Sequence, residues 1–115
     1  MKAKTNSKAE ALFWSLAAEL RAQYPSVVEG TIMNGRCLRV GTEFLALADY
    51  KGAGLVVKLP RKRVEALVAS GAGQPFAPAG RVFKEWVSVP KLDRRTWRSL
   101  LEEGVVARLA AEGSG

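Results

Sequence analysis

The chain has 115 residues and carries 18 Lys+Arg against 11 Asp+Glu, a net charge of +7, with one Cys and no His. One domain fits that length, and an apolar share of 48% suits a folded chain rather than a disordered one. The lone Cys excludes an internal disulfide, and the missing His excludes catalytic triads, His-built zinc sites and two-His iron sites, so no metal and no cofactor is expected.

The first predicted helix covers residues 7–24. Ser7 is the expected N-cap with Glu10 three positions on, and Phe13, Leu16, Ala17, Leu20 and Tyr24 repeat at helical spacing. Glu10 and Glu19 interrupt this segment well before a signal-peptide core, and no run approaches the ~20 apolar residues of a membrane span. A non-exported chain with no membrane partner is expected, and the unpaired thiol points to the reducing cytoplasm. After Pro25, strands are predicted at 27–33, 36–40, 44–50 and 55–59, separated by turns at Asn34-Gly35, Gly41-Thr42 and residues 51–54. Along them Cys37 and Arg39 oppose Leu38 and Val40, while Leu55, Val57 and Leu59 oppose Val56 and Lys58.

Pro60 opens a second helix with an inner stripe of Val64, Leu67 and Val68, ended by Gly71. Residues 71–80 read as a connecting loop, and 81–89 as a fifth strand closed by Pro90. Asp93 caps a third helix running to Ala111, with Leu92 and Trp97 as a hydrophobic staple. Its inner stripe is Trp97, Leu100, Leu101, Val105 and Leu109. Gly104 lies on that face and costs about 1 kcal/mol of helix propensity, a cost that close approach to a neighbour would justify. The order α-β-β-β-β-α-β-α predicts a single α+β domain over residues 7–111, with frayed ends at 1–6 and 112–115. It is read as two-layered, a mainly antiparallel five-stranded sheet with helices chiefly on one face. The opposite face is expected to be partly wet or to serve association.

The segments Met33-Asn34-Gly35-Arg36, Phe44-Leu45-Ala46-Leu47 and Leu55-Val56-Val57-Lys58-Leu59-Pro60-Arg61 together resemble the N-terminal domain of the TfoX/Sxy proteins. They are also similar to the MmcQ/YjbR proteins of the same architecture. The resemblance continues through Arg63-Val64, Gly71-Ala72-Gly73, Pro75-Phe76, Gly80-Arg81, Lys84-Glu85-Trp86-Val87, Trp97 and Leu100, and spans roughly residues 8–110. These are fold residues, not catalytic signatures. The resemblance implies the α+β fold, a link to competence-type regulation and a DNA-binding role.

Cys37 beside Arg36 and Arg39 could be a thiol of lowered pKa, but a lone Cys reads better as a small buried apolar residue. Glu29, Glu43, Asp49 and Glu85 show no spacing that selects an acid–base pair, and cross-strand ion pairing is the expected use. The glycine-rich stretch 71–80 follows a helix, whereas phosphate loops precede one. Phe13, Phe44 and Trp97 are expected in the core, and either Phe13 or Trp14 at the surface or an interface. The aromatics, Phe76, Phe83 and Trp86 among them, could stack on bases, although no RNP motif is present.

The basic clusters are the most informative feature. Lys58, Arg61, Lys62 and Arg63 surround the start of helix two, and Lys91, Arg94, Arg95 and Arg98 the start of helix three. Cations there oppose the helix dipole and suit an anion site; the plainer reading is solvated side chains with Arg61 and Glu65 paired at i, i+4. If strands four and five run parallel, the two clusters share one basic rim; if the 71–80 loop crosses the domain first, they lie at opposite ends. Two functions follow: a non-enzymatic anion- or nucleic-acid-binding module, or a protein–protein interaction domain that self-associates through its open sheet face or Trp14. No constellation supports an enzyme.

Overall fold

A computed structural model of the chain describes residues 8–32, 35–48, 53–78 and 80–114. The Ser7 cap, Met33-Asn34, the Asp49 carboxylate, residues 51–52 of the third turn and the N-terminal tail lie outside the described residues. The fold is α+β, with elements in the order α1 (Lys8–Gln23), β1 (Val27–Ile32), β2 (Gly35–Val40), β3 (Glu43–Ala48), β4 (Leu55–Lys58), α2 (Arg61–Ser70), β5 (Gln74–Pro75), β6 (Trp86–Val89) and α3 (Arg94–Ser114). The strands form one antiparallel six-stranded sheet in the order β1-β2-β3-β4-β6-β5.

Local signals account for the helix ends. Pro60 takes the N-cap position of α2, just outside the first turn, and its carbonyl accepts the Val64 N–H at 3.1 Å. Gly71 closes α2 at φ 84°, a left-handed conformation that disfavours side chains with a Cβ. Asp93 Oδ1 accepts the Thr96 N–H at 3.2 Å, and that bond holds its carboxyl below the ordinary carboxylate range. Leu92, the expected staple partner, is left 45% exposed, whereas Trp97 is fully buried and donates Nε1–H to the Lys91 carbonyl at 2.9 Å.

The sheet departs from expectation in three places. The 71–80 segment contributes a sixth strand, β5, on the outer edge of β6, so the five-strand count is corrected to six. The strand expected over 81–89 is only Trp86–Val89. Its first half turns instead: Phe83 N–H bonds to the Phe76 carbonyl at 3.0 Å and Trp86 N–H to the Phe83 carbonyl at 3.1 Å, satisfying backbone groups that a ladder would have used. Finally, the β2–β3 register shifts between Leu38 and Arg39, leaving Leu45 as the extra residue of a bulge. The bulge puts Phe44 opposite Arg39, so Phe44 is half-buried on the second face of the sheet and not in the main core.

Because strand side chains alternate, the sheet has two distinct apolar sets. Phe13, Leu16 and Leu20 of α1, Val64 and Leu67 of α2, and Trp97, Leu101 and Val105 of α3 form one buried cluster with Leu38, Val40, Leu55, Val57 and Val89. Cys37, Leu47 and Val56 belong to a second cluster with Phe76, against which Phe44, Phe83 and Trp86 pack. The face expected to be wet or free for association is thus partly roofed by aromatics delivered by residues 76–86. No helix among the described residues is long and apolar enough to cross a membrane.

Candidate anion-binding groove

β4 and β6 are antiparallel, with Lys58 opposite Trp86 and Leu55 opposite Val89. α2 therefore leaves from the Lys58 end of the pair, and α3 begins beyond Val89 at the Leu55 end. The parallel arrangement and its shared basic rim do not form. The reason is β5: the chain returns along α2, and β5 makes one more pass before β6 starts beside Lys58. The two clusters lie at opposite ends, as the crossing-loop alternative requires.

At the α3 end the cations bind the protein itself. Arg94 pairs with Glu19 and also reaches Ser15 Oγ at 3.3 Å. Arg98 bridges Glu19 at 3.3 Å, Glu102 at 3.2 Å and the Gln23 amide oxygen at 2.7 Å. Glu102 in turn accepts the Tyr24 hydroxyl at 2.6 Å, which raises the tyrosine's pKa. These bonds stitch α1 to α3. Lys91 and Arg95 form no salt bridge among the described residues, although the Lys91 charge adds to the lowering of the Asp93 carboxyl.

At the other end, Arg63 makes a bidentate pair with Glu103 at 2.8 and 3.0 Å, joining α2 to α3. Arg61 pairs with Glu65 at 3.3 Å with both side chains more than half exposed, the expected i, i+4 contact and a weak one. Lys58 lies 4.0 Å from Glu85, and Lys62 has no carboxylate partner among the described residues. The turn at 81–85 adds two cations outside the two sequence clusters, Arg81 and Lys84, and neither pairs with a carboxylate among the described residues. Reading 81–89 as one strand hid them; the available signal was Arg81 and Lys84 flanking Val82-Phe83 directly after Gly80.

Arg61, Arg81 and Lys84 line an open groove of about 510 Å³ whose walls include Val82, Phe83, Glu85 and Trp86. Trp86 stacks on Phe44 with ring centroids 4.1 Å apart and planes 15° apart, and meets Phe83 at 4.9 Å and 63°. A second hollow of about 220 Å³ lies beside it, lined by Lys58, Phe44, Gly104 and Arg108. Arg108 reaches Glu43 at 3.7 Å.

The remaining candidates resolve as structural. Cys37 is fully buried, and burial pushes its thiol pKa up despite the Arg39 charge. Native protein should therefore resist alkylation by iodoacetamide at pH 8 while denatured protein reacts fully; rapid native modification would show an accessible thiolate. Glu29 bonds Arg36 across the β1–β2 pair at 2.5 Å, which holds its carboxyl below the ordinary range. Glu29, Glu43 and Glu85 thus each face a cation. Phe13 is buried, while Trp14 is half-buried, its Nε1–H donated to Glu10 at 3.0 Å and its ring covered by the Arg36 guanidinium 4.0 Å from the centroid. Among the described residues no three His, Cys, Asp or Glu side chains gather as metal ligands would. No family model matches the chain, and no curated protein or solved structure matches it either.

Proposed function

We propose that this protein is a small non-enzymatic binding module for anions, nucleic acid among them, acting chiefly through the Lys58 end of the domain. The observation that carries the reading is the groove lined by Arg61, Arg81 and Lys84, of which Arg81 and Lys84 have no carboxylate partner among the described residues. A chain of net charge +7 adds long-range attraction for a polyanion. Arg94 and Arg98 are engaged by carboxylates, as Arg63 is by Glu103 at the other end, so Lys91 and Arg95 contribute only a secondary patch, without the groove that gathers Arg81 and Lys84. The TfoX/Sxy and MmcQ/YjbR resemblance supports a link to competence-type regulation, and the unpaired Cys37 supports a reducing, cytoplasmic setting. We read the domain as two-layered, with helices chiefly on one sheet face; the single core joining all three helices to alternate strand residues supports this.

Titration against DNA at two salt concentrations tests the proposal. Reversing Arg61, Arg81 and Lys84 together to Glu should weaken binding at least about tenfold and flatten the slope of log K against log salt by ~0.9 per lost phosphate contact. Arg95→Glu, at the opposite end, should change affinity by less than about threefold. No binding by the parent at low salt would sink the proposal. Self-association is the second reading: β1 ends the sheet order and leaves Val28 39% exposed. A concentration-dependent dimer in sedimentation velocity would favour it.

A further inference from the structure

We propose that the groove takes single-stranded nucleic acid, with a base stacked on Phe83 and phosphates held by Arg61, Arg81 and Lys84. This rests on the anion-binding reading above and narrows it. Cations alone accept any polyanion; the aromatics at this site distinguish one class from another. A duplex hides its base faces within its own stack and offers this groove only phosphates, whereas a single strand offers a π-face at every nucleotide.

The rings do more than roof the sheet. Phe76, from the same segment, is 3% exposed and closes over Cys37, Leu47 and Val56. Phe83 and Trp86 are left only partly covered and line the groove, next to Val82 at 51% exposure. Trp86 is committed to the protein, parallel within 15° to Phe44 and within 16° to Phe76, and meets Phe83 at 4.9 Å, so it orients the Phe83 ring before any ligand arrives. Such preorganisation lowers the ordering cost of binding. Among the described residues lining the groove, the carboxylate is Glu85, 4.0 Å from Lys58; Arg81 and Lys84 pair with no carboxylate among the described residues, and Arg61 makes only its exposed, weak contact with Glu65.

The test uses the intrinsic fluorescence of the full chain at low salt. Trp97 is fully buried and Trp14 lies under Arg36, so Trp86, which lines the groove 4.9 Å from Phe83, is the tryptophan that a base seated on Phe83 would quench. Oligothymidylate should quench emission and bind about tenfold more tightly than a duplex of equal phosphate number, while heparin binds without quenching. Oligouridylate in a parallel arm tells RNA from DNA, and quenching by either strand supports the inference. Phe83→Ala should weaken oligothymidylate about fivefold or more and leave heparin within twofold. Trp86→Phe should keep most of the affinity and lose the quench; it decides the matter if Phe83→Ala proves misfolded by circular dichroism. Equal affinity for strand, duplex and heparin without quenching overturns the stacking inference and leaves the anion-binding reading intact. Absence of binding to all three overturns both.

Discussion

Trp97→Ala should destabilise the domain by about 3–5 kcal/mol, the range for deleting a large aromatic from a packed core. Trp97 is the largest fully buried side chain and sits in the first turn of α3, where that helix meets the main cluster. Two losses combine. The cavity left by an indole cannot collapse when rigid strands form its far wall. The Lys91 carbonyl also loses its Nε1–H donor at 2.9 Å, leaving an acceptor to find water. For a domain of this size that shift corresponds to a fall in Tm of well over ten degrees. Urea unfolding followed by circular dichroism gives the value directly, and a variant melting within a degree or two of the parent would show that the indole contributes little. Trp97→Phe removes the donor together with a smaller part of the packing, so it should fall between the parent and the Ala variant.

How much of this was legible in the sequence depends on the range of the signal. The helix stripes were readable because Phe13, Leu16, Ala17 and Leu20 repeat at 3.6 spacing and all are buried. Caps were readable because Asp93 and Gly71 act within a few residues of themselves. The facing of Leu38 and Val40 against Cys37 and Arg39 followed from the pleat alone. What failed was non-local. Phe44 sits in an apolar run whose pattern gives no face, and the Leu45 bulge that decides it is set by pairing with β2. Gln74-Pro75 forms a strand only because the edge of β6 is there to pair with. That extra pass then reversed β6 and sent the two basic clusters to opposite ends. The clusters themselves were visible as composition; that Arg94 and Arg98 are held by Glu19, seventy-five and seventy-nine positions away, was not. Arg81 and Lys84 were missed because a strand reading places them on a ladder, whereas Phe83 N–H turns back to Phe76.

Gly104 is where the sequence posed a question that only packing could answer. A glycine inside a long helix should be improved by Ala by about 1 kcal/mol if nothing else changes. Here a Cβ would come within 2.7 Å of Leu45 Cδ1 and 3.1 Å of the Lys58 carbonyl oxygen. The first neighbour is a side-chain end, but Leu45 is the buried bulge residue and is itself 1% exposed, so it has little room to swing. The second is backbone of β4 and cannot yield without moving the strand. Overpacking of this kind typically costs about 1–3 kcal/mol, occasionally more. Gly104→Ala should therefore lose stability despite its better propensity, by about 1 kcal/mol net. Gly104→Val, with two further carbons and poorer helix propensity, should lose about 3 kcal/mol or more. The order Gly above Ala above Val in chemical denaturation is the expected result, and an Ala variant as stable as the parent would show that Leu45 can yield. The effect should also reach the groove. Glu103, next to Gly104, holds Arg63 at the start of α2, two residues from Arg61. Pushing α3 off the sheet lengthens that bridge, so Gly104→Val should weaken polyanion binding even where the protein remains folded.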